Sequence, residues 1–175
     1  MTIRWIENVS WDDVKNGWHS DMGPNAMLIQ IMDPPGNFPI PKKEFKEVHQ
    51  FDFLDIEDTD VAMDENIAEF AINDEQAAEI AHLLQHALDN HMNVLVHCFA
   101  GICRSGAVCE VGVMMGFKDT EVFRSPNLLV KHKMMKYLGW TYDENEPHTI
   151  NGVPFEYDEL GNKKIWVPPQ REGDI

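Results

Sequence analysis

Short apolar segments, each ended by polar or turn-forming residues, predict the strands of this protein. Residues 27–32 (MLIQIM) read as a buried strand, which ends at Asp33-Pro34-Pro35-Gly36 because these residues favour a turn. Within residues 50–55, Phe51 and Phe53 alternate with polar neighbours, as a half-buried strand requires. Residues 94–96 (VLV) form a third apolar run. The pattern predicts three strands, separated by segments long enough to hold helices.

Helical spacing appears between and after these strands. Asn73 can cap a helix with Gln76 at the capping-box position, and an apolar stripe follows at Ala77, Ile80, Leu84, Ala87 and Leu88. Two further helices are expected over residues 104–113 and 128–138, the second after the start signal Ser125-Pro126-Asn127. Shorter helical pieces are expected at residues 11–16, at 44–49 and, within the acidic connection 56–72, at 65–72.

Alternation of strands and helices predicts an α/β fold with a central mixed, largely parallel sheet flanked by helices. Past Trp140 the composition changes. Residues 155–157, a turn around 160–162 and residues 163–167 read as a C-terminal β-hairpin. We therefore expect one domain over residues 1–140 and an extension over 141–175 that packs on the same domain.

Composition and charge narrow the function. The 175 residues are 43% hydrophobic, and 14 basic against 30 acidic side chains give a net charge of −16. Nucleic acids and anionic membranes would repel such a chain, so neither is an expected partner. Its three cysteines lie between Cys98 and Cys109, an arrangement that suits reactive thiols better than disulfides. No apolar run approaches a membrane span, and we expect a reducing cytoplasmic location.

Residues 94–106 (VLVHCFAGICRSG) carry the candidate chemistry. A buried strand ends at Cys98, five residues follow, and Arg104 opens a helix. Such a loop can turn its amides inward beside a helix N-terminus, and Gly101 allows the tight curl. The Arg104 guanidinium can grip two phosphoryl oxygens, and the positive field favours the Cys98 thiolate. The alternative for Cys98 is a buried, inert thiol at a strand end.

A thiolate beneath a phosphate cradle is a nucleophile directed at phosphorus. It would displace the alcohol or phenol of a phosphoester and form a phosphocysteine, which water then hydrolyses. His97 could orient the loop through hydrogen bonds. Ser105 could donate to the sulfur and ease its departure in the second step.

The sequence His97-Cys98-x5-Arg104-Ser105-Gly106 resembles the signature of the cysteine-dependent protein tyrosine phosphatases, in particular small dual-specificity-like enzymes of prokaryotic and phage type. The order of the neighbouring segments also resembles that family over residues 27–138. The resemblance implies a dual-specificity-like phosphatase domain over residues 1–140. It further implies that phosphate is bound by Phe99, Ala100, Gly101, Ile102, Cys103 and Arg104, without a metal or other cofactor.

The resemblance also implies a general acid, an aspartate on an upstream loop that protonates the leaving oxygen. Asp55 follows the predicted strand directly and is the first choice, with Asp58 and Asp60 as alternatives. Cys103 has two interpretations. It is either a thiol that captures oxidised Cys98 as a disulfide, or a small residue that faces the loop interior.

The substrate is expected to be a phosphoprotein or a small phosphoester. Residues 99–103 carry no charge, unlike the loops of phosphoinositide-directed relatives, and the chain lacks the basic surroundings of RNA phosphatases. We expect a monomeric hydrolase that acts on phosphotyrosine, with phosphoserine and phosphothreonine as further candidates. The rival hypothesis is a phosphate-binding module that has kept the cradle but lost turnover.

Overall fold

The central sheet has five parallel strands in the order β3-β2-β4-β1-β5. The structure, a computed structural model, describes residues 4–157, 160 and 163–165. The strands of this sheet are β1 (Trp5–Val9), β2 (Ala26–Met32), β3 (Glu47–Asp52), β4 (Asn93–His97) and β5 (Lys118–Asp119). Since all five run in one direction, the loops after their last residues meet at one edge of the sheet.

Helices cover both faces of the sheet. They are α1 (Trp11–Asn16), α2 (Asp58–Met63), a 3-10 helix (Glu65–Phe70), α3 (Asp74–Asp89), α4 (Arg104–Met115) and α5 (Leu128–Tyr137). Helices α3, α4 and α5 pack against one another on one face. Successive residues of β2 point to opposite faces, so Ile29 joins the larger core while Leu28 joins the smaller core beside α1.

The expected α/β class, with a largely parallel sheet flanked by helices, is confirmed, and every pairing among the described strands of this sheet is parallel. The capping box of α3 is also confirmed. The Gln76 amide donates to Asn73 Oδ1 over 2.7 Å, and the Asn73 amide donates to Gln76 Oε1 over 3.1 Å. The sequence alone predicts this capping box because Asn73 and Gln76 are only three residues apart.

Two local predictions were wrong or incomplete. Residues 44–49 do not form a helical turn, because β3 begins at Glu47 and pairs in parallel with β2 from Met27 onward. Strand β1 was not predicted, since its sequence WIENV places Glu7 and Asn8 in a buried strand. The Glu7 carboxylate accepts hydrogen bonds from the Ser20 amide and hydroxyl over 3.0 and 2.6 Å, which compensates its burial.

The C-terminal segment forms a second, antiparallel sheet in the order β6-β7-β8, from β6 (Thr149–Ile150), β7 (Val153–Tyr157) and β8 (Lys163–Ile165). The two strands of the predicted hairpin are confirmed in β7 and β8, whereas residues 161–162 of its turn and residues 166–167 of its second strand lie outside the described residues. Asn151 exchanges two hydrogen bonds with the backbone of Arg124, each 2.9 Å long. The division into residues 1–140 and 141–175 stays a prediction.

Candidate active site

A loop over residues 98–103, called the cradle loop here, joins the end of β4 to the start of α4. Cys98, at the base of this loop, is buried and only 2% exposed. Cys98 Sγ accepts a hydrogen bond from the Gly101 amide over 3.2 Å and lies 3.2 Å from the Ser105 hydroxyl. A sulfur that faces two hydrogen-bond donors at the positive end of a helix suits a thiolate.

The carbonyl groups of the cradle loop point outward, into the surrounding scaffold. Four of them accept hydrogen bonds of 2.8 to 3.1 Å: Phe99 from the Trp11 amide, Gly101 from Asn8 Nδ2, Ile102 from the Ser125 amide and Cys103 from the Asn127 amide. Because the C=O and N–H of a trans peptide point in opposite directions, the amides of these peptide units point inward. The loop can therefore surround an oxyanion with N–H donors.

Arg104 lies beside the cradle loop with one side of its guanidinium already occupied. The side chain is 5% exposed, and its Nη1 donates to Asp33 Oδ1 and to the Phe53 carbonyl, each over 2.7 Å. Its Nε is buried and has no hydrogen-bond partner among the described residues. A buried, unpartnered N–H next to inward-pointing amides can bind the oxygen of a phosphoryl group.

Asp33 was not among the sequence-predicted site residues. It follows the last residue of β2, which neighbours β4, so its position at the same edge of the sheet brings it to Arg104. Asn8, which supports the Gly101 carbonyl, was missed too. The only sequence signal for Asp33 was an acidic residue directly after a predicted strand.

His97 is fully buried as the last residue of β4. Burial lowers its pKa to about 4, and the Arg104 charge adds to that effect. The ring is therefore neutral at pH 7. Since a carbonyl can only accept, Nδ1 carries the proton and donates to the Cys98 carbonyl over 3.1 Å. His97 thus holds the start of the cradle loop and does not contact the sulfur through any described hydrogen bond.

The lowered pKa of His97 predicts a loss of stability in acid. The pKa of His97 is about 4 in the folded protein, below the usual 6.5 of the unfolded chain. The unfolded chain therefore binds a proton first, and the free energy of unfolding falls as the pH is lowered from 6.5 towards 4. The difference corresponds to about 3 kcal/mol of unfolding free energy. Urea unfolding of the wild type and of His97→Asn is measured at pH 7 and pH 4. Between these two values the free energy of unfolding should fall by about 3 kcal/mol less in the variant than in the wild type. Equal falls would contradict this account.

Gly101 is the residue at which the cradle loop approaches β1 most closely. Its φ is +76°, and an added Cβ would collide with the backbone of Val9 and Ser10. A side chain cannot be accommodated there without movement of the loop, because the colliding atoms are backbone atoms.

We predict that Gly101→Ala lowers the free energy of unfolding by about 3 kcal/mol and the catalytic efficiency by about 100-fold. Gly139→Ala is the matched control, since Gly139 has φ +75° but open space around it. The control should cost about 1 kcal/mol and leave turnover unchanged. Similar losses in the two variants would mean that the backbone angle alone matters, and not the packing of the cradle loop.

The three candidate acids lie in different surroundings. Asp55 is exposed, and its Oδ1 accepts a hydrogen bond from Asn127 Nδ2 over 2.6 Å. Asp60 Oδ2 accepts from the Glu57 amide over 2.9 Å and so caps α2. Asp58 lines a separate cavity of about 150 Å³ together with His132 and other residues. Asp55 is next to the cradle loop, because Asn127 also donates its amide to the Cys103 carbonyl.

The two other cysteines are held as thiols. Burial raises the pKa of Cys103 to about 12, and the nearby Asp55 carboxylate adds to the rise. Burial likewise raises the pKa of Cys109, in the core, to about 12. A thiol with such a pKa is a weak nucleophile at pH 7. The redox role of Cys103 stays a prediction.

One cavity, of about 480 Å³, lies at the opposite edge of the sheet. Its walls include Trp5 and Lys118, the first residues of β1 and β5, whereas Cys98 follows the last residue of β4. Among the described residues, no group of three or more His, Cys, Asp or Glu side chains is placed to hold a metal ion. No helix in the described part of the chain is long and apolar enough to cross a membrane.

No protein-family model matches the chain, and no curated protein matches its sequence. Several solved structures are similar to it, and three of them are described. OH1 from the Orf virus, a tyrosine phosphatase with triple substrate specificity, is 18% identical over 66% of this chain, with a TM-score of 0.42. The chain spans 58% of the length of OH1.

The second structure is the human tyrosine phosphatase-like serine/threonine/tyrosine-interacting protein, 15% identical over 77% of this chain and 91% of its own, with a TM-score of 0.48. The third is Tk-PTP in its active form, 14% identical over 78% of this chain and 82% of its own, with a TM-score of 0.41. All three TM-scores lie below 0.5.

Proposed function

We propose that this protein hydrolyses phosphoesters through a phosphocysteine intermediate, as a cysteine-dependent tyrosine or dual-specificity phosphatase. The observation that supports it most is the position of Cys98 Sγ. The sulfur lies 3.2 Å from both the Gly101 amide and the Ser105 oxygen, beneath a loop whose carbonyls are bonded outward. Such a site surrounds the nucleophile with donors for the non-bridging oxygens of one phosphoryl group and leaves the opposite side to the leaving group.

In the first step the Cys98 thiolate attacks phosphorus, an S–P bond forms and the P–O bond to the leaving group breaks. Asp55 gives its proton to the departing oxygen, so that an alcohol or phenol leaves. In the second step water attacks phosphorus, Asp55 takes a proton from it, and the S–P bond breaks. Ser105 then donates to the released thiolate, while Arg104 and the cradle amides hold the phosphoryl oxygens.

Phosphotyrosine in proteins is the substrate that the rim suits best. Phe99, directly after the nucleophile, is 66% exposed and offers its ring to the phenol ring of a substrate. Phosphoserine and phosphothreonine are further substrates if their shorter side chains reach Cys98. The protein would act as a monomer in the reducing cytoplasm, where the thiolate is preserved.

A phosphate-binding module without turnover is the second candidate. Its supporting observation is the 2.6 Å hydrogen bond from Asn127 Nδ2 to Asp55 Oδ1, which restrains the proposed acid. Such a module would keep the cradle loop and bind phosphopeptides, but it would release no phosphate.

Hydrolysis of para-nitrophenyl phosphate, with reductant and chelator present, distinguishes the two candidates. A phosphatase should turn over with a burst and be inhibited by orthovanadate. A protein that binds a phosphotyrosine peptide without releasing phosphate would be a binding module. Turnover that requires added metal would contradict the thiolate mechanism.

The proposed acid predicts a dependence on the leaving group. Asp55→Asn should slow hydrolysis of phenyl phosphate by about 100-fold, because phenolate leaves poorly without a proton, and slow para-nitrophenyl phosphate by less than about tenfold. Asp58→Asn and Asp60→Asn are the comparison variants, measured with the same two substrates. If Asp58→Asn or Asp60→Asn slows phenyl phosphate more than para-nitrophenyl phosphate and Asp55→Asn does not, the residue replaced in that variant is the general acid, and Asp55 is not.

A further inference from the structure

Two carboxylates border the cradle loop on the side of β2 and β3. Asp33 is 57% exposed at its side chain although its Oδ1 pairs with Arg104. Asp55 is exposed, and its partner Asn127 is hydrogen-bonded to the cradle loop. Asp33 therefore contacts Arg104 directly, whereas Asp55 is connected to the cradle loop through Asn127.

The other side of the cradle loop has a different character. The exposed Phe99 lies there, and its carbonyl accepts from the amide of Trp11, the first residue of α1. The ammonium group of Lys15 lies 5.1 Å from the centre of the Trp11 ring. The rim is thus aromatic with a cation nearby on the α1 side, and acidic on the β2–β3 side.

The charges around the cradle loop differ from one side to the other. Arg104 attracts the phosphate, while the exposed part of Asp33 repels any further anion on the ligand. The net charge of −16 also repels acidic peptides at longer range. A positively charged residue next to the phosphorylated one would remove the repulsion and pair with the rim.

We propose that the substrates are phosphotyrosine peptides with lysine or arginine beside the phosphotyrosine, and that Asp33 binds this cation while the phosphate occupies the cradle loop. This inference rests on the proposed function and specifies its substrate class. It assigns the exposed part of Asp33 a role in choosing the substrate, in addition to its contact with Arg104.

Binding to Cys98→Ser tests the preference without depending on turnover. Three labelled phosphotyrosine peptides, flanked by two lysines, two serines or two glutamates, are titrated by fluorescence anisotropy at 0.1 M and 1 M NaCl. The lysine peptide should bind at least about tenfold more tightly than the glutamate peptide at low salt. The difference should shrink to about twofold at 1 M, where the Debye length is about 3 Å.

Charge-neutralising variants in the same Cys98→Ser background identify the residues responsible. Asp33→Asn should reduce the preference by about threefold at low salt. Asp89→Asn is the matched control, because it removes the same charge from the end of α3, at the opposite edge of the sheet, and should leave the preference unchanged. An equal effect of Asp89→Asn would mean that net charge, and not the rim, selects the substrate, and would overturn the assignment.

Equal affinities for the three peptides, or tighter binding of the glutamate peptide, would overturn the proposal, as would failure to bind any of them. Wild-type hydrolysis of para-nitrophenyl phosphate, which has no flanking residues, reports the proposed function separately. An active enzyme with no preference would therefore disprove the substrate class alone. A preference in a protein without turnover would support the substrate class and favour the binding module.

Discussion

Cys98→Ser is expected to lower the turnover of para-nitrophenyl phosphate by about 10⁴-fold or more. A serine hydroxyl must lose a proton to attack phosphorus, and no described side chain hydrogen-bonded to the sulfur is a good base. His97 is a weak base because burial lowers its pKa to about 4, and its Nδ1 donates to the Cys98 carbonyl. The described partners of the sulfur are the Gly101 amide, which cannot take a proton, and the Ser105 hydroxyl, which is a weak base.

Cys109→Ala is the control for this substitution. Cys109 lies in the core on α4, with its sulfur 3.8 Å from the Ile6 carbonyl, and burial raises its pKa to about 12. Its removal should change the stability of the fold and leave turnover within about threefold. Cys98→Ser should still bind a phosphotyrosine peptide. Turnover of more than a tenth of the wild-type rate in Cys98→Ser would exclude Cys98 as the nucleophile.

Arg104→Lys is expected to lower kcat by about 10³-fold although the positive charge is kept. The guanidinium has two tasks in this structure. Its Nη1 binds Asp33 and the Phe53 carbonyl, and its buried Nε has no hydrogen-bond partner among the described residues. A lysine has one ammonium group and cannot hold the scaffold and a phosphoryl oxygen in the same planar arrangement.

Arg124→Lys tests whether loss of any arginine–carboxylate pair has this effect. Arg124 binds Asp119 through two hydrogen bonds of 3.0 and 2.9 Å, and its side chain makes no described hydrogen bond to the cradle loop. The substitution should lower stability by about 1 kcal/mol and leave kcat within about threefold. If Arg104→Lys and Arg124→Lys reduce kcat equally, Arg104 acts through the fold and not on the phosphoryl group.

The features that the sequence predicts correctly depend on contacts between residues that lie close together in the chain. The spacing from His97 to Arg104 placed a loop between a strand and a helix, and the structure has β4, the cradle loop and α4 in that order. The cap of α3 was predicted for the same reason, since Asn73 and Gln76 are three residues apart. Both features depend on residues that are neighbours in the chain.

The scaffold of the site was not predictable in that way. Asp33 and Arg104 are 71 residues apart, and Asn8 and Gly101 are 93 apart, so no spacing within one element relates them. Strand β1 is hidden for a similar reason. Its polar Asn8 is buried because it donates to the carbonyls of Gly101 and Phe123, and those partners become visible only after folding.

The covalent intermediate provides the most direct test of the central claim. The wild-type protein is mixed rapidly with para-nitrophenyl phosphate, denatured at neutral to alkaline pH so that the S–P bond is kept, and analysed by peptide mass spectrometry, with Cys98→Ser processed in parallel. The account predicts one added phosphoryl group on the wild-type peptide that contains Cys98, and none on the corresponding peptide of the variant. Turnover without a phosphorylated Cys98, or phosphorylation of a different residue, would contradict it.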